Sequence, residues 1–353
     1  MVRLRTDARP ISVWSAVFCL VLSGCASLPE DVDRDISTAI GDYGSTKLGQ
    51  LFAADEKAHP GLSGFAVVSD SVNAFRARIA MIRLAERSID VQYYIWEADT
   101  TGGLMALELL DAANRGVRVR ALIDDSTQSG QDNAMLAYDA HPNIEVRVFN
   151  PFAHRGSRAV GYLTDFERLN HRMHNKLIAA DNAVALIGGR NIADHYFGVH
   201  EEENFRDLDI GAVGPVVRDI SASFDVYWNS QWAYPVEAII DPDERLTLEQ
   251  LQAQAEAVRK RLAEQPYPVS LVERVEELTG NVSALPSRFT WARGRVLVDD
   301  PDELSEQGSA SGVITALRDQ MDTMNQELLI EAAYFVPLDR GVERLRQLTS
   351  RGV

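Results

Sequence analysis

His174-Asn175-Lys176-Leu177-Ile178-Ala179-Ala180-Asp181-Asn182-Ala183-Val184-Ala185-Leu186-Ile187-Gly188-Gly189-Arg190-Asn191 is the stretch that decides the reading of this chain. It reads His-x-Lys, four residues, Asp, six residues, Gly-Gly-x-Asn. The two apolar runs on either side of Asp181-Asn182 predict two buried strands joined by a tight turn. Side chains alternate along a strand, so His174 and Lys176 share a face. A neutral imidazole is a nucleophile toward phosphorus near pH 7. An ammonium beside it suits a phosphodiester anion. Gly188 and Gly189 are expected to bring backbone close to a ligand, and Asn191 to add a neutral donor. His-x-Lys by itself recurs by chance, whereas the whole string at fixed spacing points to a site.

Working outward, Phe65–Val68 and Ile89–Trp96 read as strands, with an apolar helical period over 71–87 between them. A helix over 104–113 is expected to stop near Gly116. Val117–Ile123 alternates Val with Arg as a strand, followed by a short helix over 133–140 and a strand over 144–149. This alternation predicts an α/β fold, a mixed sheet flanked by helices. The C-terminal part repeats the order: a strand over 295–300, a helix over 313–325, a Tyr-containing strand over 328–336, a helix over 341–348, then Arg351-Gly352-Val353 matching Arg115-Gly116-Val117. The expected organisation is one complete repeat over 64–235, a helical linker over 236–290 and an incomplete second repeat over 291–353. In the linker, Leu246, Leu248, Leu251, Ala255, Val258 and Leu262 form one stripe, expected to pack on the body.

The first residues read as an export signal. Arg3, Arg5 and Arg9 precede an apolar run of twelve residues, Ile11–Leu22, too short for a permanent span. Leu22-Ser23-Gly24-Cys25 resembles a bacterial lipoprotein cleavage site. Residues 1–24 are thus expected to be a signal peptide, Cys25 the lipidated first residue, and 25–63 a tether. Ala26 and Ser27 favour outer-membrane attachment facing the periplasm. The formal charge is −17, and −19 once three Arg and one Asp leave with residues 1–24. So acidic a chain is a poor partner for nucleic acid, whose binding depends on phosphate neutralisation. Arg155, Arg158, Arg168 and Arg172 nevertheless gather near Lys176 in sequence.

The string over 174–191 resembles the catalytic signature of the phospholipase D superfamily, with Gly188-Gly189 where the family has Gly-Ser. Ile89–Trp96, Arg115–Val119, Asn150-Pro151-Phe152, Phe205–Asp209 and Tyr227–Ser230 extend the resemblance, which is greatest to the cardiolipin synthase group. The resemblance implies a phospholipase D-like fold and a phospholipid substrate, cleaved through a phosphohistidine. The outcome is phosphatidyl transfer that makes cardiolipin, or phospholipase D hydrolysis. His174 is then nucleophile or general acid/base. Lys176 and Asn191 hold nonbridging oxygens, Asp181 completes the catalytic set with His174 and Lys176 by holding the turn and the Lys, and Asp207 or Asp209 orients a histidine. A nuclease or other phosphodiesterase, and a non-catalytic remnant, are the alternatives. No cofactor is expected. The sequence presents one His-x-Lys, so the 353-residue chain alone is expected to be inactive or weak. A homodimer placing two copies of His174 together is the less favoured arrangement.

Overall fold

The computed structural model describes residues 27–200, 202–240, 246–264, 282–302, 312–330 and 335–353, with residues 275, 279 and 332. Residues 1–24 and Cys25 lie outside them. Among the described residues nine strands form one sheet: β1 (Ser63–Val68), β2 (Ser88–Tyr93), β3 (Arg118–Asp124), β4 (Ile144–Phe149), β5 (Lys176–Ala180), β6 (Val184–Gly188), β7 (Asp209–Val213), β8 (Ala233–Pro235) and β9 (Thr290–Ala292). Their order is β8-β4-β3-β2-β5-β6-β7-β1-β9. The β2-β3-β4 block is parallel and the remaining pairings are antiparallel.

Among the described residues, the helices of eight or more residues are α1 (Lys47–Ala58), α2 (Ser71–Leu84), α3 (Thr100–Asn114), α4 (Asp132–Asp139), α5 (Pro215–Trp228), α6 (Leu248–Ala263), α7 (Gly312–Thr323) and α8 (Leu338–Ser350). Their ends follow local chemistry. Asp70 caps α2 by accepting from Asn73 N–H, and Asp99 caps α3 by accepting from Gly102 N–H. Gly116, expected as a stop, has φ of 93° after α3. Thr247 and Gln250 form a reciprocal capping box on α6.

One face of the sheet packs against α2, α3, α4 and α6, around Phe75, Ile79, Ile89, Val91, Leu110 and Leu136. The other packs against α5, whose Val217, Ile220, Phe224 and Trp228 recur at helical spacing. The α6 stripe buries Leu251, Ala255 and Leu262, as the period required.

The hairpin is formed as read: Asp181 and Asn182 have φ of 54° and 52°, and Ala183 N–H closes the turn on Ala180 O at 3.0 Å. The tether reading is corrected over residues 27–46. Arg118, Arg120 and Arg147 donate to the carbonyls of Thr38, Ser37 and Asp35, and Trp228 Nε1 donates to Ser37 Oγ. The alternating arginines of β3 present a polar sheet face. Arg120 is balanced there by Asp90 and Asp225, and the N-terminal segment supplies the remaining acceptors.

In the C-terminal part the two expected helices form as α7 and α8. The expected strand over 295–300 and the described residues of 328–336 carry no ladder. Val296 and Val298 pack against the α5-side core, while Leu329, Phe335 and Val336 are exposed. The second repeat remains our proposal from sequence.

Candidate active site

The parallel strands β2, β3 and β4 end where β5 and β7 begin and where β1 and β6 end, so seven strands deliver residues to one rim of the sheet. Lys176 lies opposite Tyr93, and Asp209 lies between Gly188 and Val68. His174 precedes β5 on this rim. Its ring leans on Tyr94, with centroids 4.9 Å apart, and its other side is open. Lys176 is buried; its Nζ donates to His174 O at 2.7 Å and lies 5.3 Å from the Tyr94 ring centroid. Lys176 makes no ion pair among the described residues.

These surroundings set the charges. Burial pushes the Lys176 ammonium down to about 8, against the pull of Asp207 and Asp124. The covered side of the His174 ring and the charge on Lys176 push its pKa below the usual imidazole range, and Asp207 opposes them. Near neutral pH the imidazole is therefore held neutral beside a desolvated cation. Asn175 points elsewhere, to Tyr227, whose phenol burial and nearby Asp299 and Asp300 push up to about 12.

On the side where a side chain would stand, the glycine pair meets protein carboxylates. A Cβ on Gly188 would lie 2.1 Å from Asp209 Oδ1, and one on Gly189 would lie 2.0 Å from Asp207 Oδ1. The missing side chain at 189 thus makes room for Asp207, whose charge bears on both His174 and Lys176. Asp209 is withdrawn from that role. It is fully buried and accepts from Arg78 at 2.9 Å and Arg190 at 3.1 Å, with Arg78 also donating to Tyr93 Oη. This buried triad fixes β6, β7 and α2 behind the rim.

Two further assignments change. Asn191 is buried, with Oδ1 accepting from Ile95 N–H at 3.1 Å and Nδ2 donating to Tyr196 Oη at 2.8 Å. Both ends of its amide are engaged by protein, so it shapes the rim by holding the chain after β2. Asp181 stands at the opposite end of β5, about 17 Å of strand from Lys176 at roughly 3.3 Å per residue. Its carboxylate accepts from the N–H groups of Glu86, Arg87 and Ser88. It ties the hairpin to the start of β2 and touches neither His174 nor Lys176. Asp181→Ala should therefore lower unfolding free energy by about 3 kcal/mol, because buried donors lose their acceptor. In the fraction that folds, turnover per molecule should be unchanged. Denaturation and active-site-normalised kinetics check the two halves; loss of turnover in a stably folded variant would restore the catalytic assignment.

The arginines near the motif are committed to acidic partners. Arg155 pairs with Asp125 and Asp132, Arg158 with Asp125, Arg168 with Asp165, and Arg172 with Asp124 at 3.1 Å. Tyr94, Asp124 and Tyr227 are site neighbours that the sequence did not single out. Tyr94 was legible only as part of an aromatic strand. Asp124 is the last residue of β3, and its carboxylate accepts from Met173 N–H at 2.9 Å, anchoring the approach to His174. His195, in the helical turn Asp194–Phe197, stacks on His200 with ring centroids 3.7 Å apart. Among the described residues, no group of three or more His, Cys, Asp or Glu is placed to hold a metal ion.

A family model described as "Cardiolipin synthase, PLD-like domain" matches residues 79–228, which include the whole 174–191 string. Cardiolipin synthase C of Escherichia coli K12 is 39% identical over 304 residues, 84% of this chain and 62% of that protein. An uncharacterized protein of Helicobacter pylori J99 is 30% identical over 351 residues, 96% of this chain and 68% of that protein. The chain thus spans 62–68% of the length of these two relatives. Among solved structures, phosphatidylserine synthase of Haemophilus influenzae Rd KW20 matches at 16% identity with a TM-score of 0.39, covering 61% of this chain and 48% of that one. Nuc of Salmonella typhimurium, a phospholipase D family member, matches at 19% identity with a TM-score of 0.35, covering 49% of this chain and 97% of that one. On the sequence matches, the chain belongs to the phospholipase D superfamily, in its cardiolipin synthase-like group.

Proposed function

We propose that the protein cleaves and transfers the phosphodiester of phospholipids through a covalent phosphohistidine. The observation that carries this is an exposed imidazole next to a buried ammonium that has no ion-pair partner among the described residues. In the first step a ring nitrogen of His174 bonds to phosphorus as the bond to the donor alcohol breaks. The leaving oxygen takes a proton from a second histidine, as the family resemblance implies. In the second step that histidine takes the proton of the incoming hydroxyl, which bonds to phosphorus as the N–P bond breaks. With phosphatidylglycerol as donor and acceptor, the products are cardiolipin and glycerol; with water as acceptor, phosphatidic acid replaces cardiolipin. Asp207 supports the reading by placing negative charge near His174. Similarity to cardiolipin synthase C favours transfer.

Rapid denaturing quench of the protein with phosphorus-labelled phosphatidylglycerol tests the intermediate. An acid-labile, base-stable label on His174 is expected. Turnover that proceeds with no trapped label on any histidine would reject the covalent route. Product analysis of cells expressing the protein separates transfer from hydrolysis. EDTA should leave the rate unchanged, because the proposed chemistry needs only side chains. A loss restored by one added divalent ion would replace this mechanism.

We also propose that Cys25 carries a lipid that holds the enzyme at the membrane of its substrate. Among the described residues no helix is long and apolar enough to cross a membrane. Cys25→Ala should abolish incorporation of labelled fatty acid and shift the protein out of the membrane fraction. Equal label in both forms would place the anchor elsewhere.

A further inference from the structure

A cavity of about 270 Å3 lies between α3, α4, α6 and the sheet face over β3 and β4. Its floor includes Ala121 and Val146, its walls Leu107 and Met135, and its roof Leu251 and Val258. It is elongated along the strands. Val119 at the start of β3 and Ile123 near its end both line it, a span of about 13 Å at roughly 3.3 Å per residue. It then continues past the strand ends to Trp96 and Gln128, which are joined by Gln128 Nε2 donating to Trp96 O at 3.1 Å. That end lies on the catalytic rim. The Trp96 ring meets Tyr93 with centroids 5.8 Å apart, and the next residue, Tyr94, meets His174 at 4.9 Å.

The sequence keeps this space open. Gly103 and Ala106 stand on the α3 face that looks toward α6, and both line the cavity. Glycine in a helix interior is unfavourable. A Cβ at 103 would nonetheless meet nothing nearer than Val258 Cγ1 at 3.9 Å, so local crowding does not require the glycine. Its neighbour Gly102 is different: a Cβ there would lie 1.8 Å from Glu97 O. The polar lining residues include Glu97 and Gln128, which follow β2 and β3 at the rim end. The lining is mostly apolar, with Gln254 and Arg261 as further polar residues on α6, and a mostly apolar, elongated space that reaches the rim suits a hydrocarbon chain whose head stays outside. Its volume falls just below the roughly 300–1,000 Å3 of small-molecule sites, which suits part of one chain better than a whole lipid.

We propose that this cavity receives one acyl chain of the phospholipid whose phosphate is attacked by His174. This deepens the phospholipid reading and rests on it. The test uses the full chain carrying His174→Ala, so that nothing turns over, and cis-parinaric acid as a fluorescent chain probe. The probe should bind saturably, and long-chain phosphatidylglycerol should displace it while the dihexanoyl form does not. Ala106→Phe fills the middle of the cavity. Ala134→Trp does so from an exposed rim position where folding is less at risk. Each folded variant should bind the probe at least tenfold more weakly. In the active background each should raise KM for long-chain substrate and leave dihexanoyl kinetics unchanged. Probe binding unaltered in folded Ala134→Trp would overturn the site. Displacement by free fatty acid but not by long-chain phosphatidylglycerol would overturn the substrate as occupant. Probe binding lost in the filled variants, with no phospholipid turnover by a form of the enzyme that supplies the second histidine, would support a chain site while rejecting the phospholipid-cleaving reading.

Discussion

In a form of the protein that supplies the second histidine, His174→Ala should reduce turnover by about ten-thousand-fold while leaving the fold intact. Loss of a positioned group that forms a bond or moves a proton costs orders of magnitude in rate. The structural cost is small, because one side of the ring is open and its ring partner is Tyr94. Steady-state kinetics with circular dichroism checks both parts. Residual activity above a few per cent in a folded variant would remove His174 from the chemistry. The pH profile carries the same assignment. If the neutral ring attacks, kcat/KM should fall as pH drops through the His174 pKa, which burial and Lys176 hold below 6.5. A profile that rises toward acid would make His174 the general acid.

Lys176→Met should cost about 3–4 kcal/mol of transition-state stabilisation, or roughly a hundred- to a thousand-fold in kcat, by analogy with the loss of one oxyanion donor. The side chain is buried, and methionine fills a similar volume without a charge to desolvate. Stability should therefore hold while rate falls. A rise in KM with unchanged kcat would mean that Lys176 binds only the ground state. Free enzyme should also lose kcat/KM above about pH 8, where the ammonium gives up its proton. Its pKa is depressed, so the charged form is present below that value and lost above it. Lys176→Met should remove this alkaline limb along with most of the rate.

Relations set by local periodicity were legible in the sequence. The two strands around Asp181-Asn182, the shared side of His174 and Lys176, the stop of α3 near Gly116, and the stripe of α6 need only a residue and its near neighbours. The mixed sheet followed from the alternation of such elements, and the family from the spacing of the motif. Which carboxylate meets which partner was not legible, because strand order and register decide it. Asp207 and Asp209 are two residues apart and equally plausible beside a histidine. Pairing of Asp209 with Gly188 and Val68 commits it to Arg78 and Arg190 and leaves Asp207 at the rim. Asp181 reads as part of the site because it belongs to the motif, yet a strand of five residues carries it to the far end of the sheet. The alternating arginines of β3 announced a polar face. Only the tertiary structure showed that residues 27–46 cover it, since desolvated guanidinium groups take acceptors wherever the fold brings them. Sequence thus determined the reactive groups and their local geometry, while long-range pairing of buried polar groups determined which neighbours tune them.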